Sequence, residues 1–352
     1  MIPQVMRSID GMPLPARGQT PGGRRCRLLA VPAGAGKLRL QDQLMKAGCT
    51  PGAIPRKCEM EIPPNASKVP TIEQFKEQIR AEWTDSATVS AWRRWHSKSI
   101  VQTREATDAI VHVADVARGL RILDLASGTG EPALTMARAV GREGHVTATD
   151  LGSGMLGLAQ ENAQHALLTN LTFQEADAHA LPFPDETFDR VTCRFGVMYF
   201  ADVGQALREI RRVLKSGGLA ALAAWGPLEQ NPISVSALGP FLKRTSITQP
   251  PPGAPHPFKF ASQGSLSREL ERAGFERVEE QFRTINCAWP GPPEELWEHF
   301  REIAVAFRPI MDSLPPDQQQ QAISEVIEGF GRYYDGKRVN APAVIVLAAG
   351  VR

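Results

Sequence analysis

The stretch from residue 121 to residue 130, Arg-Ile-Leu-Asp-Leu-Ala-Ser-Gly-Thr-Gly, constrains the fold of this chain more than any other. Its apolar first half predicts a short strand that contains Asp124, and Gly128 and Gly130 predict a tight loop after that strand. A helix is expected directly afterwards, over 132–140. Because a strand, a glycine loop and a helix N-terminus bring free backbone N–H groups close to a ligand, the stretch predicts a ligand site.

The net charge of +2 is unevenly distributed along the chain. Residues 1–70 carry 11 Lys and Arg against 4 Asp and Glu, whereas the other 282 residues carry 29 against 34. The larger part of the chain is therefore mildly acidic, which argues against a nucleic-acid partner. The five cysteines form no CxxC pair, so neither a disulfide framework nor a metal site is expected, and a cytoplasmic location fits best.

Composition and periodicity divide the chain into three parts. Residues 1–70 are rich in Pro and Gly without a sustained period, which predicts a disordered or poorly ordered basic segment. Residues 71–118 predict N-terminal helices that cover the site, and residues 119–352 predict the main domain, with a helical cap over 286–342. No window holds 18 uninterrupted apolar residues, so no stable membrane insertion is expected, and the sequence indicates no oligomeric state.

Strands and helices are predicted to alternate after residue 119. The predicted strands lie at 121–125, 145–150, 171–175, 188–193, 219–225, 275–284 and 344–349. Helical patterns separate the first five of them, and such alternation predicts an α/β protein with a doubly wound, mostly parallel sheet of seven strands.

Three acids lie where predicted strands end: Asp124 in the first, Asp150 at the end of the second and Asp177 just past the third. Ligands of open parallel sheets bind at this edge, and Asp150 follows Gly130 by 20 residues, the spacing of an acid that binds ribose hydroxyls. Asp124 would repel the phosphates of a dinucleotide, but it suits a ligand with an ammonium group. S-adenosylmethionine, which joins an amino acid, a sulfonium, a ribose and an adenine, is such a ligand.

Four ordered segments, 124–130, 150–159, 177–189 and 207–218, resemble the motifs of the class I S-adenosylmethionine-dependent methyltransferases. The resemblance is to the small-molecule branch that includes the ubiquinone/menaquinone-biosynthesis methyltransferases, and it covers roughly residues 80–350. It implies a Rossmann-like methyltransferase fold with S-adenosylmethionine as cofactor. It also implies transfer of a methyl group to carbon or oxygen of a small, aromatic or quinone-like acceptor.

The resemblance implies roles for residues of the first motif. Asp124 would lie near the ammonium group of the cofactor, in part through water. Gly128 and Gly130 would let the backbone approach the amino-acid part and the ribose, and Ala126 is expected beside them at the cofactor. Taken alone, Asp124 could instead cap the glycine turn.

The later motifs supply the other implied cofactor contacts. Asp150 would hold the ribose hydroxyls, with Leu151 against the adenine. Asp177 would accept from the adenine amino group, and Ala178 would donate its backbone N–H. Arg194 would stand near the carboxylate or the methyl group. Simpler interpretations remain open, since Asp150 could cap a helix, Asp177 could be a solvated loop acid, Leu151 could be a core residue and Arg194 could pair with a local acid.

A general base is needed only if the acceptor must lose a proton. The catalytic candidates are His179, Tyr199 and Arg194, and His96 and His256 are further candidate bases. Alternatively, His179 is a loop histidine without a catalytic role. Aromatic residues predicted either to wall the acceptor pocket or simply to pack the core are Trp92, Trp95, Phe195, Phe200, Trp297, Phe300, Phe307 and Tyr333.

Two other functions remain compatible with the sequence. One is an NAD(P)-binding oxidoreductase of Rossmann type, although Ala133 stands where that family's third loop glycine is expected and no Tyr-x-x-x-Lys pair is visible. The other is a protein that binds S-adenosylmethionine without catalysing transfer.

Overall fold

The computed structural model describes residues 70–246 and 253–352. The predicted disordered segment therefore lies outside the described residues, apart from Pro70.

In the described part of the chain, three helices precede the sheet: α1 (Ile72–Thr84), α2 (Ser86–Gln102) and α3 (Arg104–Val113). Thr71 starts α1 with a capping box, in which its hydroxyl accepts from the Gln74 N–H and the Gln74 side chain accepts from the Thr71 N–H. Asp85 ends α1 and starts α2, since its carboxylate accepts the N–H of Thr88 at 2.9 Å. These caps make the short corner between the first two helices.

The seven strands form one sheet in the order β3-β2-β1-β4-β5-β7-β6. Their bounds are β1 Arg121–Leu125, β2 His145–Asp150, β3 Leu171–Glu175, β4 Phe188–Arg194, β5 Leu214–Trp225, β6 Glu276–Trp289 and β7 Val339–Val351. The first five strands pair in parallel, and β7 is antiparallel to both β5 and β6. The predicted α/β class, with a mostly parallel sheet of seven strands, is confirmed.

The remaining helices of the described residues either cover the two faces of the sheet or form the cap. They are α4 Ala133–Val140, α5 Ser153–His165, α6 Val203–Val213, α7 Pro232–Leu242, α8 Ser265–Arg272, α9 Pro293–Ile303, α10 Arg308–Met311 and α11 Pro316–Gly331. The helices α9, α10 and α11 lie between β6 and β7 and form the helical cap before the last strand that the sequence predicts.

The last two strands are longer than predicted because they continue beyond the shared sheet. β7 pairs with β5 only from Ile345 onward. Its earlier residues pair with β6 alone; Val339 of β7, for example, pairs with Trp289 of β6. One edge of β7 is therefore free around Pro342, where a residue without a backbone N–H is tolerated.

The direction of strand addition reverses between β1 and β4, which lie side by side in the middle of the sheet. Ligands of doubly wound sheets bind at the carboxyl ends of the strands beside such a reversal. Every helix in residues 70–246 and 253–352 is too short or too polar to cross a lipid bilayer.

Candidate functional site

A cavity of about 340 Å³ lies at the carboxyl ends of β1, β2 and β4. The glycine loop after β1 and the ends of β2 and β4 form one side of it. The helices α1 and α2 and the cap helix α9 form the other sides. The cavity is thus built by the parallel sheet together with both helical additions to it.

Asp150 holds the glycine loop in place. Its carboxylate accepts the backbone N–H of Gly128 at 2.8 Å through Oδ2 and that of Gly152 at 3.0 Å through Oδ1. Burial raises the pKa of Asp150, and the backbone N–H groups of Gly152, Gly128 and Leu151 oppose that rise. Since each carboxylate oxygen has a second lone pair, Asp150 can order the loop and still accept hydroxyl groups from a ligand in the cavity.

The loop residues have backbone conformations that bring the chain close to the cavity. Gly128 and Gly130 have φ of +54° and +115°, and Ala126 has φ of +53°. A Cβ on Gly130 would lie 2.9 Å from Cδ1 of Leu134 in α4, and the φ of +115° is strained for any other residue, so both features favour glycine at this position. Ala126 and Gly128 line the cavity, whereas Gly130 does not.

Asp124 lies beneath the loop and does not line the cavity. It is fully buried, and its Oδ1 accepts from the Thr192 hydroxyl at 2.6 Å. Its Oδ2 has no hydrogen-bond partner among the described residues. Burial raises the pKa of Asp124 to about 7, against the opposing effects of the Thr192 hydrogen bond and the charge of Arg194. Any contact of Asp124 with a ligand ammonium group therefore passes through other groups or water.

Arg194 ends β4 and lines the cavity. Its guanidinium donates to the Thr103 hydroxyl and to the backbone carbonyl of Glu131, both at 2.9 Å, and its Nε is buried without a partner in the described residues. Burial lowers the pKa of Arg194, whereas the charges of Glu131 and Asp124 raise it. A fixed, partly satisfied guanidinium of this kind can receive a carboxylate.

Glu131 is a candidate that the sequence reasoning missed. It lines the cavity directly after Gly130, and its side chain is only 9% exposed. Among the described residues, its carboxylate accepts only one long hydrogen bond, 3.3 Å, from the N–H of Thr135. Its Oε1 lies 3.9 Å from Nη1 of Arg138. A carboxylate so placed beside the glycine loop suits an ammonium group better than the buried Asp124. Its position next to the second loop glycine was the available signal.

Asp177 and His179 form a closed pair after β3. Asp177 Oδ1 accepts from the backbone N–H of His179 at 2.9 Å and from its ring Nδ1 at 2.5 Å. The other ring nitrogen of His179 accepts the backbone N–H of Asp202 at 3.1 Å. The hydrogen bond from His179 lowers the pKa of Asp177 to about 2. Both residues and Ala178 line the cavity, yet both ring nitrogens of His179 are used inside the protein.

Tyr199 lies on a short 3-10 turn after β4 and lines the cavity. Its ring packs edge to face on that of Trp83, with the ring centroids 5.7 Å apart. The ring centroids of Trp83 and Trp92 are 6.2 Å apart. Burial raises the pKa of Tyr199 above its ordinary value. The hydroxyl forms no hydrogen bond in the described part of the chain, so it is free to bond a ligand. Trp83 was not predicted, because nothing in its own segment shows that α1 reaches the sheet edge.

The part of the cavity lining contributed by residues from Trp225 onward, here termed the distal wall, contains no Asp, Glu, Lys or Arg among the described residues. Trp225 stacks on Phe195 with ring centroids 4.2 Å apart. Its ionisable members are Cys287 and His299, and burial lowers the pKa of His299 to about 3, which keeps that ring neutral. The other members are Asn231, Ile233, Ser234, Pro257, Phe258, Phe300, Ile303, Ala304, Ala306, Phe307, Pro342 and Ala343.

Several predicted candidates do not line the cavity. His96 bonds Thr129 of the loop from outside the cavity, and the ring of His256 accepts the N–H of Phe258 at 3.2 Å. Trp95 and Trp297 are buried in the core between α2, β6 and the cap helices, and Tyr333 packs against the same core. Of the predicted aromatic residues, those that do line the cavity are Trp92, Phe195, Phe200, Phe300 and Phe307. Residues 70–246 and 253–352 contain no group of three His, Cys, Asp or Glu side chains able to hold a metal ion.

The fold is a Rossmann-like α/β sheet with a glycine loop at its switch point. In a comparison with known proteins, residues 98–234 match the model of the ubiE/COQ5 methyltransferase family. The resemblance predicted from the sequence is thereby confirmed for this region.

Two curated relatives carry the same name, ubiquinone/menaquinone biosynthesis C-methyltransferase UbiE. That of Xanthomonas oryzae is 43% identical over 111 residues, which cover 31% of this chain and 44% of the relative. That of Rhizobium leguminosarum is 35% identical over 176 residues, which cover 46% and 66%. This chain thus spans about half the length of the curated relatives it matches. Among solved structures, the YcgJ protein of Bacillus subtilis matches 71% of this chain and 98% of its own, with a TM-score of 0.47 and 21% identity.

Proposed function

We propose that this chain is an S-adenosylmethionine-dependent methyltransferase that acts on carbon or oxygen of a small, aromatic or quinone-like molecule. The observation that carries the proposal is one cavity that joins a glycine-loop edge with Asp150 to an uncharged, aromatic distal wall. The family match over residues 98–234 supports the same conclusion.

The residues present fit S-adenosylmethionine. Asp150 would accept the ribose hydroxyls, with Leu151 and Ala178 against the adenine. Glu131, whose carboxylate is weakly bonded, would receive the ammonium group, and Arg194, whose Nε lacks a partner in the described residues, would receive the carboxylate. When bound, this cofactor supplies a methyl group on a sulfonium, which is already activated for transfer.

Since the donor is activated, the work of the protein is to align the acceptor and to exclude water. The helices α1 and α2 and the cap enclose the cavity for this purpose. The Tyr199 hydroxyl, which has a raised pKa and therefore keeps its proton, would donate a hydrogen bond to an acceptor oxygen. His179 would position Asp177 and would not act as a base. Its Nε2 already accepts the Asp202 N–H, and protonation of Nε2 would break that hydrogen bond.

The distal wall favours an acceptor without formal charge. A buried charge needs a partner of opposite sign, and the described part of this wall offers none. Flat aromatic surfaces such as the stacked Phe195 and Trp225 suit a planar apolar ring.

Calorimetric titration of the purified full chain with S-adenosylhomocysteine tests the cofactor. We expect micromolar binding that is lost in Asp150→Ala and retained in Glu143→Ala, which removes an exposed acid from a turn. NADH serves as the competing ligand. Binding of NADH without binding of S-adenosylhomocysteine would instead indicate an oxidoreductase, and the methyltransferase proposal would be abandoned.

Methyl transfer is then measured with radiolabelled S-adenosylmethionine and pairs of phenols and quinols that differ only in one carboxylate. Transfer to the uncharged member of a pair is the expected result. Tight cofactor binding without transfer to any acceptor would indicate a non-catalytic binding protein.

A further inference from the structure

The helix α2 reaches the glycine loop through His96. The ring Nδ1 of His96 lies 2.9 Å from the hydroxyl of Thr129, which stands between the two loop glycines. Asn162 of α5 approaches the same residue, and its amide nitrogen donates to the Thr129 carbonyl at 2.9 Å. The same nitrogen lies 3.4 Å from His96 Nδ1. Two helices that are far apart in sequence thus meet on a single loop residue.

The hydrogen bonds define the protonation state of His96. The Thr129 carbonyl can only accept, so the side chain of Asn162 must present its NH2 group there and also towards His96. Nδ1 of His96 then carries no proton, and its single lone pair accepts from the Thr129 hydroxyl at 2.9 Å, with the Asn162 NH2 group as a second, longer donor, so the ring proton is on Nε2. The neutral ring agrees with the burial of His96, which lowers its pKa.

The interface between α2 and α5 is close and does not depend on His96 alone. Arg93 of α2 forms a two-pronged ion pair with Glu161 of α5. A Cβ on Gly154, at the start of α5, would lie 2.9 Å from the Val89 side chain, so the helices approach closely there as well. Within this interface His96 and Asn162 are the side chains that bond Thr129.

We infer that His96 and Asn162 are positioning residues that hold the glycine loop in its ligand-binding shape and couple the N-terminal helices to it. His96 does not line the cavity, whereas Thr129 does, so His96 acts on a ligand only through the loop. Two backbone amides of the glycine loop are hydrogen-bonded within the protein and are therefore protected from hydrogen exchange while the loop is ordered. The Ser127 N–H donates to the Thr149 carbonyl, and the Gly130 N–H donates to the Ser127 carbonyl. The inference rests on the proposed function for the identity of the ligand, but not for the order of the loop.

Two substitutions of His96 distinguish a role of its hydrogen bond to Thr129 from a role of its side-chain volume. The Oδ1 of an asparagine takes the place of Nδ1, whereas a glutamine places its polar group near Nε2. His96→Asn therefore keeps the acceptor for Thr129, and His96→Gln loses it. Arg93→Gln is the matched control, because it weakens the same helix interface without touching the loop.

Two measurements on the full chain are needed: titration with S-adenosylhomocysteine, and amide hydrogen exchange over residues 126–131 without ligand. Losing the two hydrogen bonds in His96→Gln should weaken binding about 10-fold and speed loop exchange by a similar factor. His96→Asn and Arg93→Gln should stay within about 2-fold of the wild type in both.

Equal behaviour of the Asn and Gln variants, or unchanged loop exchange in His96→Gln, would overturn the inference. If the wild type does not bind S-adenosylhomocysteine at all, the proposed function fails, while the exchange rates of the loop still decide the role of His96.

Discussion

Asp124 of β1 and Thr192 of β4 are joined across the switch point of the sheet by a 2.6 Å hydrogen bond between Thr192 Oγ1 and Asp124 Oδ1. The second oxygen of Asp124 is buried without a partner in the described residues. Because burial raises the pKa of this carboxyl to about 7, it is protonated in a large fraction of molecules near neutral pH. The acid that best marks the site in the sequence thus lies under the loop and not in the cavity.

Asp124→Asn should stabilise the protein at alkaline pH. A carboxyl with a raised pKa in the folded state contributes stability below its unfolded pKa of 3.8, and that contribution is lost as the pH rises through about 7. Asparagine does not titrate, so the stability of the variant relative to the wild type should rise by about 3 kcal/mol between pH 5 and pH 8. Urea unfolding at both pH values measures this difference.

Asp85→Asn is the control for this pH dependence, because asparagine keeps a side-chain oxygen at the start of α2 and no histidine of the described residues bonds this carboxylate. The hydrogen bond from the Thr88 N–H holds the pKa of Asp85 below its ordinary value of 3.8, so its contribution to stability is complete above that pH and is lost only in more acidic solution. Its difference from the wild type should therefore be the same at pH 5 and pH 8. An equally flat result for Asp124→Asn would show that Asp124 is ionised throughout.

Gly130→Ala should weaken both folding and cofactor binding. The backbone φ of +115° is unfavourable for alanine, and the new methyl group would meet Leu134. We expect a loss of about 1–3 kcal/mol in the free energy of unfolding and weaker binding of S-adenosylhomocysteine. Gly157→Ala is the matched control, since this glycine lies on the open face of α5 with ordinary φ, and alanine there should stabilise the helix by up to about 1 kcal/mol.

The sheet was predictable because its strands follow local rules. Buried parallel strands such as Ile122–Leu125 appear as short apolar runs, and glycines mark the turns that follow. Three strands differ from the prediction at their ends by more than one residue. β5 begins at Leu214 and not at residue 219. β6 and β7 continue as a two-stranded extension beyond β5, and local sequence does not indicate where pairing with a third strand ends. Within the predicted cap 286–342, α9 ends at Ile303, and a new short helix, α10, begins at Arg308 with Pro309 in its first turn.

The site was predictable only where its residues follow strands. Asp150 and Arg194 end strands and line the cavity as expected. Trp83 and Asn231 were missed, because their place in the cavity depends on how α1 and α7 pack against the sheet edge. Glu131 was missed although its position directly after the second loop glycine was a local signal. Sequence periodicity predicts which face of a helix is buried, but it does not predict which element that face packs against.

Tyr199→Phe should slow methyl transfer while leaving folding and cofactor binding unchanged. The hydroxyl has no hydrogen-bond partner in the described residues, so its removal leaves no protein group unsatisfied. If it orients the acceptor, kcat should fall about 10-fold for an acceptor with an oxygen substituent. Tyr334→Phe, which alters an exposed tyrosine, is the control. An unchanged kcat in Tyr199→Phe would leave the residue with a packing role against Trp83.

Arg194→Lys should weaken cofactor binding more than it weakens the fold. Lysine keeps the charge, but its single nitrogen does not reproduce the planar fork with which two nitrogens of Arg194 bond the Thr103 hydroxyl and the Glu131 carbonyl. We expect the Kd for S-adenosylhomocysteine to rise about 10-fold in calorimetric titration. Arg190→Lys is the matched control on the same strand: its guanidinium also bonds a backbone carbonyl, that of Ala114, but Arg190 does not line the cavity. It should lose similar stability and keep its affinity, whereas equal loss of affinity in both variants would assign Arg194 a structural role only.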